Sequence, residues 1–306
     1  MTQPNQFLVI QFEGPAARQG QIVQASLASI QTLELFDPAP HKARHEADCR
    51  RAETMLSGLS PQRVLSALAR EDCWMAVIRD QRVVGFLHFR EQPGRQGPQE
   101  GLRVFVRSAM LGKDGTRTLT RQELFSSADR RTERWEMFSV MFSGERETAR
   151  THQFGLKQHD RLVAQTVVGP HDTQSRDMPV PQAVYLPLAF SPLLPRLLDR
   201  SAPGACAFAQ YDPAGEELTM RTVRVIGPAR VTLGGQSYPA VLLEDQPTLD
   251  GPVTRLYVDG AGLPLQLVMD DGAGGQTIIQ RTTAEAIRQR FADELQRFEA
   301  PRQAAR

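Results

Sequence analysis

The sequence predicts an α+β fold in which one large, mostly antiparallel β-sheet is curved or closed into a half-barrel. An N-terminal helical segment precedes the sheet and a C-terminal helix follows it. Two observations predict the sheet: apolar residues recur with a period of two from residue 74 onward, and the connections between these segments are short. A third places the helices, because long helix-period patterns occur only near the two ends of the chain.

The helical patterns of the N-terminal part cover residues 20 to 72. Apolar positions from Cys49 to Leu59 share one helical face, as expected for a helix that packs on a sheet. Ser60 and Pro61 then have the residue types favoured at an N-cap and at the first helical position. A second helix is therefore expected to begin there.

Strands follow from Trp74, where "WMAVIRDQRVVGFLHFRE" predicts two strands about a short turn. Further alternating segments continue to a loop over 169–187, which is rich in Pro, Asp and His. A short helix is expected near Ser191, limited by Pro195. A second run of strands over 205–282 completes the sheet.

The chain closes with "TTAEAIRQRFADELQRFEA", in which apolar residues from Ile287 to Phe298 lie on one side of an amphipathic helix. The domain organisation expected from these patterns is 1–72, a helical segment packed on the sheet; 73–298, the antiparallel sheet domain with its C-terminal helix; and 299–306, a disordered tail.

Charge and hydropathy exclude several classes of function. The chain has 36 Lys and Arg against 35 Asp and Glu, and the two signs are interleaved, so no nucleic-acid partner is expected. No apolar run is long enough for a transmembrane helix, and no signal peptide is visible. The protein is therefore expected either to be cytoplasmic or to have a leader that is absent from this chain.

The glycine-rich stretch "DDGAGGQT", Asp270 to Thr277, resembles a phosphate-binding loop. A phosphate cradle leads into a helix, whereas this stretch is followed by the β-branched "TIIQRTT" and contains no lysine. We therefore expect a β-hairpin with Gly272 to Gly275 in a solvent-exposed turn.

Few residues suggest metal or disulfide chemistry. His41, His45 and Cys49 have the i, i+4, i+8 spacing of ligands on one helical face, but no fourth ligand is evident, and extension of the apolar stripe is the favoured interpretation. A disulfide between Cys49 and Cys73 would fit an oxidising compartment, and spacing alone leaves it open. No metal and no cofactor are expected.

The enzyme alternative depends on Cys206 as a thiol nucleophile, with His152, His159 or His171 as a distant base. A small apolar residue at the start of a strand is the favoured interpretation of Cys206, and His88 is read as a core or face residue. No catalytic residue is therefore assigned.

The segment "RWEMFSVMFS" is apolar on both faces of a strand. Trp135, Met137 and Met141 face one way, and Phe138 and Phe142 face the other. Such a strand must be covered on both sides, by core, by a helix or by a ligand. We take Trp135, Met137 and Met141 as candidates for the wall of an apolar groove, with ordinary core as the alternative.

The pattern "WMAVIRDQRVVGFLHFRE", a long meander and "RLYVDGAGLPLQLVMDDG" over residues 74 to 285 resembles β-rich bacterial envelope proteins of uncharacterised family. It is similar to lipoprotein-carrier (LolA-like) half-barrels and to β-domains that accompany transglutaminase-like proteins. The resemblance implies a curved sheet around helices and a periplasmic or secreted location. Nothing after Cys206 matches a transglutaminase core, so no catalytic residue is carried over.

The function predicted is that of a non-enzymatic envelope protein. Its partner is either an apolar, lipid-like ligand or an envelope protein, bound on the concave face of the sheet. The alternative is a hydrolase or transferase that uses Cys206 and a histidine.

Overall fold

The structure, a computed structural model, describes residues 20, 22–24, 38–169, 172–248, 251–270 and 275–299. By its contacts the chain divides into a unit of Met1–Arg44, whose described residues are helical, and a unit of His45–Arg306. The strands are β1 Cys73–Arg79, β2 Arg82–Gln96, β3 Gln99–Leu111, β4 Thr116–Ser127, β5 Thr132–Ser143, β6 Arg146–Gln158, β7 Arg161–Val168, β8 Asp172–Pro179, β9 Gly204–Asp212, β10 Glu217–Leu233, β11 Gln236–Gln246, β12 Thr254–Val258, β13 Pro264–Asp270 and β14 Gln276–Thr282. The helices are α1 Pro38–Ser57, α2 Pro61–Ser66, α3 Leu194–Leu197, α4 Ala284–Arg290 and α5 Ala292–Glu299, with a 3-10 turn at Leu188–Phe190.

All 14 strands belong to one open sheet with the order β8-β7-β6-β5-β4-β3-β2-β1-β14-β13-β12-β11-β10-β9. Two meanders, β1 to β8 and β9 to β14, are joined where the first strand pairs antiparallel with the last, Trp74 opposite Thr282. The predicted fold class, mostly antiparallel with helices before and after the sheet, is confirmed. Residues 1–19, 21 and 25–37 of the expected 1–72 segment and residues 300–306 of the tail lie outside the described residues.

Local signals place the helices correctly. The Ser60 hydroxyl accepts a hydrogen bond from the backbone N–H of Arg63 at 3.2 Å, as an N-cap does. The predicted C-terminal helix is divided at Phe291, whose backbone leaves the helical region between α4 and α5. Its apolar stripe nevertheless packs as one surface on the sheet.

The predicted loop over 169–187 is partly wrong, because β8 occupies Asp172–Pro179. This strand pairs only with β7 and its side chains are mostly exposed, so it needs no apolar face and gives no alternating signal. The hairpin around Asp270 is confirmed by the antiparallel pairing of β13 with β14, Asp270 opposite Gln276. Residues 271–274 of its turn, most of the expected Gly272 to Gly275 turn, lie outside the described residues.

The core face of the sheet is the one that carries Leu102, Val104 and Trp135. It is packed by the connecting segment, residues 180–198, which runs between the two edge strands β8 and β9. The backbone of this segment also forms a parallel bridge to β9, Tyr185 with Ala209. Its buried apolar side chains include Val180, Tyr185, Leu186, Leu188, Ala189, Phe190, Leu193, Leu194, Leu197 and Leu198.

The opposite side is called the back face. At one end of it Phe86, Ala109 and Leu119 pack against Phe291 and Ile287 of the C-terminal helices. The ring centroids of Phe86 and Phe291 lie 5.4 Å apart. Among the described residues, no helix has the length and apolar character needed to cross a membrane.

Candidate functional site

The structure does not bring the three residues predicted for a groove wall together on an open surface. Trp135 is 1% exposed and stacks on Tyr211 with 5.0 Å between ring centroids. Trp135 also lies directly opposite Gly155 of β6, and its ring packs so close to that glycine that a Cβ there would be 2.3 Å from the ring. The neighbouring strand therefore covers the indole as well. Met137 is also buried, whereas Met141 is 40% exposed. At Trp135 and Met137 this strand is ordinary core.

The other face of β5 is covered at the position of Phe142. Its ring packs with the cluster formed by the C-terminal helices, and the Arg297 guanidinium lies 5.1 Å from the ring centroid. The requirement that this strand be covered on both faces is therefore met here by protein atoms.

An apolar cavity does occur on the core face, away from β5. We call it the inner cavity; its volume is about 210 Å³. It lies where β1, β2, β12 and β13 face the connecting segment, at the junction of the two meanders. Its apolar lining consists of Ala69, Cys73, Met75, Phe89, Pro192, Pro195, Leu256, Leu263, Pro264 and Leu267.

A second space, the basic cleft, adjoins the inner cavity and shares Ala69 and Leu263 with it. Its volume is about 620 Å³, and its walls come from α2, the chain after α2, α3 and the turn between β12 and β13. Three arginines line it, Arg63, Arg70 and Arg196, with one acid, Glu71. An apolar space thus continues into a cationic one.

Arg196 is the buried charge of the basic cleft, with 8% of its side chain exposed. Its Nη2 donates to Glu91 Oε1 at 2.6 Å and to the carbonyl of Pro192 at 3.0 Å. Glu91 Oε2 in turn accepts from the backbone N–H of Ala69 at 2.9 Å. The Nε and Nη1 of Arg196 are buried without a hydrogen-bond partner among the described residues.

A second ion pair borders the inner cavity. Arg221 donates to both carboxylate oxygens of Asp245, at 2.8 and 2.6 Å, and to the hydroxyl of Ser191 at 2.9 Å. The bidentate pair joins β10 to β11, and the hydrogen bond to Ser191 attaches the connecting segment to it. The cavity therefore has apolar walls and a rigid polar border, the general composition of small-molecule sites.

The cysteines do not have the environment of a nucleophile. Burial raises the pKa of the Cys206 thiol to about 11, and burial also raises the pKa of Cys73. The positive charge of Arg51 opposes this rise in the pKa of Cys206. The Nε–H of Arg51 donates a hydrogen bond to the carbonyl of Ala205 at 2.8 Å. A catalytic thiol needs a lowered pKa and a base within reach. In the described part of the chain no hydrogen bond joins Cys206 to a histidine.

The histidines proposed as distant bases lie elsewhere. His152 shares a hydrogen bond of 2.9 Å with Glu136 on the back face, and His159 has φ 54° in the turn after β6. His171 lies outside the described residues.

The candidate metal ligands at the N-terminal helix do not form a complete set. The Cys49 Sγ lies 3.7 Å from His45 Nε2. The described residues contain no group of three His, Cys, Asp or Glu side chains able to hold a metal ion. All three cysteines are free thiols, so Cys49 and Cys73 are not joined.

The inner cavity and the basic cleft were missed by the sequence analysis. Each of the two ion pairs at these sites joins different strands or segments: Arg196 pairs with Glu91, and Arg221 pairs with Asp245. No local spacing in the sequence connects the two members of either pair. The one usable signal was the apolar alternation of "LPLQLVM", which places Leu263 and Leu267 on one face of a strand, and both of them line the inner cavity.

The fold places this chain among mostly antiparallel α+β proteins built on one large open sheet. No family model matches the sequence, and no curated protein does. Among solved structures the chain is similar to a beta-barrel-like protein of domain of unknown function DUF1849 from Brucella abortus. The identity is 10% and the TM-score 0.46, over 69% of this chain and 94% of that one.

Proposed function

We propose that this protein is a non-enzymatic binding protein whose ligand is amphipathic, with a short apolar part and an acidic group. The apolar part occupies the inner cavity, and the acidic group meets Arg196 in the basic cleft. The observation that carries the proposal is a buried arginine with two unpartnered donors beside an apolar cavity. Each unpartnered buried donor costs about 1–3 kcal/mol, which an anionic ligand would recover.

The size of the two spaces supports an amphipathic ligand over a purely apolar one. The inner cavity, about 210 Å³, is smaller than the range of about 300–1,000 Å³ typical of ligand pockets, whereas the cleft beside it, about 620 Å³, lies within that range. A fatty acid or a similar acyl compound has the required chemistry. Kinship with lipoprotein carriers and an envelope location belong to this proposal and rest on the sequence resemblance.

The test is a titration with a dansyl-labelled fatty acid. We expect saturable binding that Leu267→Trp, which fills the inner cavity, weakens about tenfold or more, equivalent to about 1.4 kcal/mol. Leu156→Trp is the matched control, because Leu156 is exposed on the back face, and it should bind as the wild type does. Absence of saturable binding, or equal binding by both variants, contradicts the proposal.

The role of Arg196 is tested by comparing the fatty acid with its methyl ester. Arg196→Lys keeps the positive charge beside Glu91 but removes the Nε and Nη1 donors. It should weaken binding of the acid while binding of the ester changes little. If Leu267→Trp fails to fold, alkylation of Cys73 in a Cys49→Ser, Cys206→Ala background replaces it, and the fatty acid should slow that reaction.

A further inference from the structure

Three arginines stand side by side on the back face, on a different side of the sheet from the inner cavity. Arg90 belongs to β2, Arg107 to β3 and Arg121 to β4. Arg107 lies directly opposite Arg121 and, on its other side, directly opposite His88. None of the three arginines forms an ion pair or side-chain hydrogen bond within the described ranges.

This arrangement is unfavourable for an empty protein surface. Like charges directly opposite each other on neighbouring strands destabilise a sheet. Glu123 and Glu136 also lie directly opposite each other on this face, but each has a cationic partner: Arg103 pairs with Glu123 at 2.7 Å, and His152 with Glu136 at 2.9 Å. The opposed arginines have no such partner among the described residues, as expected where a ligand supplies the missing negative charge.

The arginines border a cavity of about 370 Å³. One acid lines it, Asp72, and its Oδ2 is already within 2.8 Å of His88 Nε2. The Trp74 ring stacks on the His88 imidazole with 3.9 Å between the ring centroids. Burial lowers the pKa of His88, which favours the neutral imidazole, although the hydrogen bond with Asp72 opposes the shift. The cavity thus has three cationic groups against one carboxylate, with Gln92 and Phe105 completing the part that a ligand would meet.

The geometry points to a phosphate-type anion as the ligand of this cavity, held by the guanidinium groups of Arg90, Arg107 and Arg121. A guanidinium offers parallel N–H donors that match the oxygens of a phosphate, and three of them suit a group with several acceptor oxygens. The confined cavity and the balanced charge around it fit a discrete phosphate group rather than the extended basic surface that nucleic acid requires.

The phosphate group has two sources, a free phosphorylated compound or the headgroup of an anionic phospholipid. Calorimetric titration with inorganic pyrophosphate tests the first, and co-sedimentation with phosphatidylglycerol vesicles, against phosphatidylcholine vesicles, tests the second. We expect saturable binding in at least one arm, weakened about tenfold or more by Arg107→Gln and by Arg121→Gln. Arg82→Gln is the matched control, because it removes the same charge from the exposed beginning of β2, and it should leave binding unchanged.

Thermal unfolding separates binding from a structural role. Since Arg107→Gln relieves a repulsion, the melting temperature of this variant without ligand should equal or exceed that of the wild type, while its binding is weakened. A lower melting temperature together with wild-type binding overturns the proposal. So does the absence of binding in both arms, or binding that all three variants retain. The acyl-ligand proposal is tested separately, because Leu267→Trp should leave pyrophosphate binding intact.

Discussion

At the scale of single residues, Glu133 is the strongest departure from ordinary core chemistry. This carboxyl group of β5 is fully buried and accepts hydrogen bonds from the Tyr185 hydroxyl at 2.5 Å and the Leu188 N–H at 2.6 Å. Both donors belong to the connecting segment. Lys157, also buried, lies 5.2 Å from the Tyr185 ring and donates to the carbonyls of Arg130 and Arg131. The network holds the connecting segment on the core face.

Glu133 is expected to make stability depend on pH. Burial raises the pKa of its carboxyl from 4.5 to about 7, although the hydrogen bonds from Tyr185 and Leu188 oppose the shift. Between these two values the folded state binds a proton that the unfolded chain has released. The contribution of this group to the free energy of unfolding therefore falls as pH rises through that window and is constant above it. The full change is about 3 kcal/mol.

Glu133→Gln removes this titration while keeping an oxygen acceptor for Leu188 and a donor for the Tyr185 oxygen. The free energy of unfolding of the variant, relative to wild type, should rise across the acidic range up to about pH 7 and level off above it. Urea denaturation at a series of pH values measures it. Parallel pH profiles for the two proteins would show that the carboxylate is not the titrating group.

At the scale of elements, the connecting segment covers the core face of the sheet although it contains no long helix. Phe190 in its 3-10 turn is 0% exposed and belongs to the large core cluster. Phe190→Ala should therefore lower the free energy of unfolding by about 3–5 kcal/mol, through lost burial and the cavity left behind. Leu156→Ala, at an exposed position of β6, should change it by less than about 0.5 kcal/mol. Urea titrations of both variants provide the comparison, and similar midpoints would mean that the segment is not core.

Prediction from sequence succeeded for elements whose signals are local. The Ser60 cap, the apolar stripe of the C-terminal helices and the alternation of most strands are set within a few residues, and the structure has them. It failed for β8, because an exposed edge strand carries no apolar period. The opposite directions of Trp135 and Phe142 along β5 followed from period two, but what covers each face depends on distant segments.

The candidate sites were beyond such signals for the same reason. The Glu91–Arg196 pair joins β2 to the connecting segment, and the Arg107–Arg121 contact depends on the register of two strands. The members of these two pairs cannot be matched from the sequence until the strand pairing is known, because their positions do not follow the spacing of any motif. Only the residue types could be read in advance.

At the scale of the whole molecule, the sheet depends on one long-range pairing. Trp74 and Thr282 are about 200 positions apart in the chain, and their strands join the two meanders. Both strands have a hydrogen-bonded neighbour on each side and carry buried residues such as Val77 and Ile279. Opening this junction therefore separates the two halves of the sheet and approaches global unfolding.

The edge strand β8 is the opposite case, since it pairs on one side only and its side chains are mostly exposed. It should open locally at a small fraction of the global free energy, because few buried apolar contacts are lost. Native-state hydrogen exchange is expected to show amides of β8 that bond to β7 exchanging fastest within the sheet. Amides shared by β1 and β14 should exchange slowest, close to the rate set by global unfolding. Equal protection in the two regions would mean that the sheet opens as a single unit, and faster exchange at β1 and β14 would place the weak junction between the two meanders.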